Sequence, residues 1–152
     1  MKDLLFAAID LTGRSCTVIG GGSVAERKIK KLVKCGAAVT AVAPDFTYSL
    51  DELGREEIIS VKRRCYQTGD LADTFLAVIA TDDDVANKNA LNEAKQLGIL
   101  VNAAFDKAHG DLYFTATRDV GDFVISAMNK EMSPKQSLEL LNDIEAGLKR
   151  VK

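Results

Sequence analysis

Short apolar runs alternate with amphipathic stretches through the first hundred positions of this chain. The run "RSCTVIG" is β-branched and predicts a strand. From Val24 to Cys35 the apolar residues Val24, Ile29, Leu32 and Val33 fall roughly on one helical face, with Arg27, Lys28, Lys30, Lys31 and Lys34 mostly elsewhere. Gly36 stands where a glycine ends many helices. "AAVTAVAP" is nearly unbroken apolar sequence, as in a strand covered on both faces, and Pro44 ends it. Strand, helix and strand in this order make a βαβ unit.

The alternation continues. Ile58 to Tyr66 predicts a more polar strand, nearer an edge, and Thr74 to Asp83 a buried one. Val85 to Gly98 reads as an amphipathic helix with a terminal glycine, and Ile99 to Phe105 as the next buried strand. Beyond Phe105 the character changes. Leu112 to Ala116 and Phe123 to Ala127 predict two short strands, joined by a turn over Arg118 to Asp122. Ser133 as N-cap, Pro134 at the first helical position and Gln136 two residues later open a final helix. Its apolar positions are Leu138, Leu140, Leu141, Ile144 and Leu148. The expected fold is α/β: a Rossmann-like doubly wound parallel sheet over residues 1–106, then a β-hairpin plus helix over residues 107–152.

Composition narrows the partners. A length of 152 residues suits one main core, and the net charge of -2 gives no reason to expect nucleic acid or an acidic membrane surface as a partner. No apolar run is long enough to span a bilayer, and the first fourteen residues, broken by Asp3 and Asp10, lack the long apolar stretch of a secretory signal. Cys16, Cys35 and Cys65 are widely spaced, which reads as a reduced, cytoplasmic protein. With His109 as the only histidine, no metal site is expected.

The candidate chemistry lies between the first strand and the first helix. Gly20, Gly21, Gly22 and Ala25 fit G-x-G-x-x-A. Gly20 makes the tight turn, Gly22 leaves room for a diphosphate against the main chain, and Ala25 lets helix and strand pack closely. The phosphates then face free N–H groups at the positive end of the helix dipole. Asp45, after Pro44, either takes the adenosine ribose hydroxyls or starts a turn. No Arg or Lys lies in "APDFTYS" to receive a 2′-phosphate, so NAD is expected rather than NADP. Thr81 and Asp82 end a strand at the carboxyl edge, where ligands bind in such sheets, or cap the next helix.

"TVIGGGSVAERKIKKLVKCGAAVTAVAP", "LAVIATDDDVANK", "GILVNAAFD" and "MSPKQSLELL", in this order, resemble the precorrin-2 dehydrogenases, which also form the N-terminal part of siroheme synthases. The resemblance runs from Leu4 into the last helix. It implies oxidation of precorrin-2 to sirohydrochlorin with NAD, on the way to siroheme or a related tetrapyrrole, in some members with iron insertion as well. It implies a homodimer joined through the region after the nucleotide domain. It also implies cofactor contacts from Ser23 and Val24 through the glycine turn, with Pro44 and Asp45 along the adenosine.

The substrate must lose a hydride and a proton, and a carboxylate near the ring can accept the proton. The family pattern N-x-x-D reads here as Asn102, Ala103, Ala104, Phe105, with the carboxylate one residue on, at Asp106. Asp106 is therefore the catalytic candidate. Precorrin-2 carries many carboxylates, so Arg118, with Lys107 behind it, is a candidate to hold it, and Asn102 joins them as a substrate contact. Arg118 is otherwise a solvated hairpin tip. His109 is either a proton carrier or an ordinary loop residue.

The segment "SAMNKEMSP" is bulkier and more charged than the glycine-rich stretch of the family, and Gly110 and Thr115 replace the family's Cys and Pro. The chain also stops about where the family's C-terminal helical segment would begin. Two functional classes follow: an NAD-dependent dehydrogenase, or a dinucleotide-binding or sensing module of the same fold without the chemistry. A chelatase acting on sirohydrochlorin is a third reading.

Overall fold

A computed structural model describes residues 3–131 and 133–149. Two compact units emerge, one over residues 7–112 and one over residues 113–152 together with residues 1–6.

The larger unit carries β1 (Ser15–Ile19), α1 (Ser23–Lys34), β2 (Ala38–Ala43), α2 (Tyr48–Arg55), β3 (Ser60–Arg63), β4 (Leu76–Ile79), α3 (Asp84–Leu97) and β5 (Leu100–Ala103), then a 3₁₀ turn at Lys107–His109. The five strands form one parallel sheet in the order β3-β2-β1-β4-β5. β1 lies between β2 and β4, with Ile19 in register with Val42 on one side and Ile79 on the other. The connection direction therefore reverses at β1, and the carboxyl ends there form the crevice in which such sheets bind ligands.

Burial explains the strand sequences. All four residues of β4 are buried, as are the last four of β1. Ile19, Val42, Ala77, Ile79, Val101 and Ala103 meet Ala90, Leu91 and Ala94 of α3 in one apolar cluster. Ala25, Ile29 and Leu32 supply the buried face of α1. The one buried polar pair along β1 is Thr17 with Thr74, their hydroxyls 2.7 Å apart. β3 is exposed along its length, as befits the edge strand its polar sequence predicts.

α2 is an element that the apolar pattern did not reveal. Thr47 caps it, accepting the N–H of Leu50 at 3.3 Å, and Leu50 is its one buried residue, so little periodicity was available to read.

The loop after β3 is fastened by charge. Asp70 is buried and accepts both arms of Arg64 at 2.6 and 2.7 Å, the Gln67 N–H at 2.9 Å and Lys62 Nζ at 3.1 Å. The Arg64 guanidinium, first among these partners, holds the Asp70 carboxyl well below the usual carboxylate range. Glu93 of α3 is buried too. It accepts the N–H groups of Gly69 and Leu71 and the hydroxyl of Tyr66.

The smaller unit pairs β6 (Ala116–Val120) with β7 (Phe123–Ala127) antiparallel, beside α4 (Pro134–Lys149). The first hairpin strand is thus at 116–120, not 112–116, and the turn is Gly121-Asp122, not 118–122. Arg118 is a strand residue that donates to Asn142 Oδ1 at 2.9 Å and lies 3.8 Å from a Glu145 carboxylate oxygen, both on α4. A tertiary partner for a charged residue overrode the turn-like look of "RDVGD". α4 begins at Pro134 as expected, with Ser133 before it accepting the Ser137 N–H on its carbonyl at 3.2 Å, and the Asn129 side chain takes the Ser133 N–H that a capping box would give to Gln136. Asn129 Oδ1 accepts the Ser133 N–H at 2.6 Å and its Nδ2 donates to Gln136. Leu141 is buried while Leu138 and Leu140 are exposed. The Leu148 side chain lies outside the described residues.

Candidate cofactor site

The crevice beside β1 is a cleft of about 650 Å³, within the range of small-molecule and cofactor sites. Three strand ends build its main walls. Gly20, Gly21, Gly22, Ser23 and Val24 come from the β1–α1 turn, Pro44 and Asp45 from the end of β2, and Thr81 and Asp82 from the end of β4. The nine residues expected at a cofactor are thereby brought to one cavity. Further walls come from Cys65 and Tyr66 after β3, Asn87 of α3, and Ala104 and Phe105 after β5.

The three glycines have separate jobs. Gly20 takes φ +131°, and a Cβ there would lie 2.2 Å from the Ala80 carbonyl oxygen. A Cβ on Gly21 would lie 2.0 Å from the Asp45 carbonyl oxygen. The Thr47 N–H also donates to the Gly21 carbonyl at 3.0 Å, so the β2–α2 loop is laid directly on this residue. At Gly22 an added Cβ meets nothing within 4 Å. Gly22 borders open cleft, and only there does the missing side chain leave space for a ligand.

Capping selects the helix that receives an anion. α3 is closed by its own sequence, because Asp83 Oδ1 accepts the Val85 and Ala86 N–H groups at 2.9 and 3.0 Å. α2 has Thr47. α1 starts from Gly22, with no side-chain cap. Its first N–H groups therefore face the cleft at the positive end of the helix. Thr81 and Asp82 leave the capping of α3 to Asp83, whose own N–H is held by Thr81 Oγ1 at 3.2 Å.

The cleft wall contains no Lys or Arg and four carboxylates: Asp45, Asp82, Asp83 and Asp84. A 2′-phosphate would meet no counter-charge there.

The other candidates lie elsewhere. Asn102 is 5% exposed and does not line the cleft. Its Oδ1 accepts Lys28 Nζ at 2.7 Å and its Nδ2 donates to the Leu112 carbonyl at 2.7 Å, which ties α1 to β5 and to the segment after the 3₁₀ turn. Burial, with Arg27 and Lys31 nearby, brings the Lys28 amine down to about 8. Phe105 is 38% exposed on the cleft wall. Asp106 follows it and caps the 3₁₀ turn: Oδ1 accepts the Ala108 N–H at 2.8 Å and Oδ2 lies 3.0 Å from His109 Nδ1. The Ala108 N–H and the imidazole hold its carboxyl below the usual value. Lys107 starts the 3₁₀ turn and is exposed. Arg118 belongs to the other unit.

Tyr66, Cys65 and Asn87 escaped the sequence reading. For the first two no local signal exists, since a loop fastened by Asp70 and Glu93 carries them in. Asn87 did leave a trace, a polar residue in the buried 87-90-91-94 stripe of α3.

An uncapped helix behind a glycine turn, at the switch point of a parallel sheet, defines a dinucleotide-binding protein. Residues 7–116 match the family model described as putative NAD(P)-binding. The precorrin-2 dehydrogenase of Priestia megaterium is 32% identical over 138 residues, 91% of this chain and 68% of that protein. That of Bacillus subtilis is 28% identical over 90% of this chain and 84% of its own length. The solved structure of SirC, a precorrin-2 dehydrogenase, superposes with a TM-score of 0.80 at 30% identity, covering 95% of this chain and 71% of that one. The chain belongs to the precorrin-2 dehydrogenase family, and its cofactor is NAD. It spans only 21% of another relative, the probable multifunctional siroheme biosynthesis protein HemA of Ruminiclostridium josui, at 34% identity. The residues present fit NAD: an open main chain at Gly22, an uncapped helix for the diphosphate, and no cation for a 2′-phosphate.

Proposed function

We propose that this protein oxidises precorrin-2 to sirohydrochlorin with NAD, a step of siroheme biosynthesis. The observation that carries the reading is the open Gly22 main chain before the uncapped α1, in a chain of this family. Gly20 to Val24 hold the diphosphate, Pro44 and Asp45 the adenosine half, and Thr81 and Asp82 the nicotinamide half. Held there, NAD would supply the hydride acceptor for the substrate.

The accompanying proton goes to the pair Asp106 and His109. The carboxylate accepts the Nδ1 proton of the ring, which leaves the Nε2 lone pair to take a proton. Residues 107–152 form the substrate and dimerisation region, where Arg118 and Lys107 each offer a cation to the substrate's carboxylates. The dimer rests on a physical argument: a lone two-stranded ribbon is marginal in water, yet Phe123 and Val124 of the hairpin stand 75% and 70% exposed. A second copy would cover them. Three free cysteines fit a cytoplasmic protein, and among the described residues no helix is long and apolar enough to cross a membrane.

Purified protein, NAD and enzymatically made precorrin-2 should yield the sirohydrochlorin spectrum faster than a control without protein. NAD binding without turnover would instead favour a dinucleotide-sensing module. That second reading draws on Phe105, which stands on the cleft wall while the Asp106 carboxylate lies off it.

A further inference from the structure

Asn87 is 2% exposed and lines the cofactor cleft from α3. Its side-chain amide is half satisfied. Nδ2 donates to the Thr81 carbonyl at 3.0 Å. A carbonyl oxygen only accepts, so this contact fixes which end of the amide turns toward the strand. Oδ1 has no hydrogen-bond partner among the described residues. Buried side-chain oxygens are nearly always paired, and an unpaired one on a residue that lines a ligand cleft calls for a donor brought by the ligand.

The sheet order says which part of the ligand that is. β2 and β4 flank β1 on opposite sides. With the diphosphate at the central glycine turn, Asp45 at the end of β2 adjoins the adenosine half. Thr81 at the end of β4, and Asn87 beside it, adjoin the other half. The donors there are the carboxamide N–H₂ and the ribose hydroxyls. The neighbouring Asp82 and Asp84 carry charge, whereas Asn87 Oδ1 is a neutral acceptor in a buried position, suited to a neutral donor.

We propose that Asn87 Oδ1 accepts a hydrogen bond from the nicotinamide half of the bound cofactor and so binds that half specifically. The proposal rests on the cofactor assignment above. The contact is made equally by the oxidised and reduced rings, since both carry the same carboxamide and ribose. It is a binding contact and carries no proton or hydride.

The test compares two probes on wild type, Asn87→Ala and Asn87→Ser, by fluorescence titration with NADH and calorimetric titration with ADP, which lacks the nicotinamide half. Serine keeps a polar group at the position but is too short to replace the amide oxygen. Both variants should raise the Kd for NADH about tenfold or more and leave the Kd for ADP within about twofold. Unchanged NADH binding overturns the proposal. Equal weakening of both probes also overturns it, because the amide would then only hold the cleft together. If wild type binds ADP but not NADH, the nicotinamide half has no site here and the inference fails. If it binds neither, the cofactor assignment fails first.

Discussion

A Cβ on Gly21 would stand 2.0 Å from the carbonyl oxygen of Asp45, whereas a Cβ on the next residue, Gly22, would meet nothing. Two adjacent glycines thus serve different masters. The first lets the β2–α2 loop close over the turn, and the second leaves the cleft open. Gly21→Ala should cost about 1–3 kcal/mol of stability, as overpacking against main chain does. Gly22→Ala, at an ordinary extended φ of -81°, should unfold within about 0.5 kcal/mol of wild type and yet bind NAD more weakly. Urea denaturation and calorimetric titration of the two variants check this. A Gly22→Ala protein with wild-type affinity would remove the diphosphate from that spot.

The Asp106 and His109 pair sets up a second comparison. His109→Gln should lower kcat at least about 100-fold, the usual scale of a lost proton acceptor, while leaving the Kd for NADH unchanged. Asp106→Asn should lower kcat by less, because the ring stays but loses its anchor at 3.0 Å. Added imidazole should restore part of the rate to His109→Ala. Full activity in His109→Gln would return the role to the carboxylate alone.

Asp70 predicts an acid-sensitive fold. Arg64, the Gln67 N–H and Lys62 favour its ionised form in the native state, so its folded pKa lies below the unfolded value of about 3.9. The unfolded chain therefore binds more protons at low pH. The stabilisation is complete above about pH 5 and is lost progressively as pH falls through and below the unfolded pKa. Asp70→Asn should cost about 2 kcal/mol at pH 7, and the difference from wild type should shrink by pH 3. A gap that stays constant between these pH values in urea melts would show that the carboxylate charge is not what fastens the loop.

The hairpin makes a third kind of prediction. Phe123→Asp places a charge where an exposed phenyl ring now stands. If a second copy covers that ring, light scattering at micromolar concentration should change from dimer to monomer. A monomeric wild type would refute the proposed association.

The order of strands and helices was legible because period-2 and period-3.6 burial write themselves into local sequence. Ile29 and Leu32 of α1, and Val78 and Ile79 of β4, are apolar for the reason the pattern suggests: they are buried. The glycine turn was legible too, since few other residues fit that backbone. α2 was not, with Leu50 alone buried on it. Nor was the hairpin register, because Arg118 finds its partners on α4, twenty-four residues away at Asn142.

By itself the sequence determined the sheet, the glycine turn and the family resemblance, all of which rest on neighbours within a few residues or on fixed motifs. Only the tertiary structure decided that Asp83 rather than Thr81 or Asp82 caps α3, that Asn102 holds Lys28 instead of facing the cleft, and that the buried Asn87 Oδ1 is left unpaired among the described residues. The physical reason is that a polar group's role depends on which donors and acceptors surround it after folding. Chain positions far apart in sequence supply those partners.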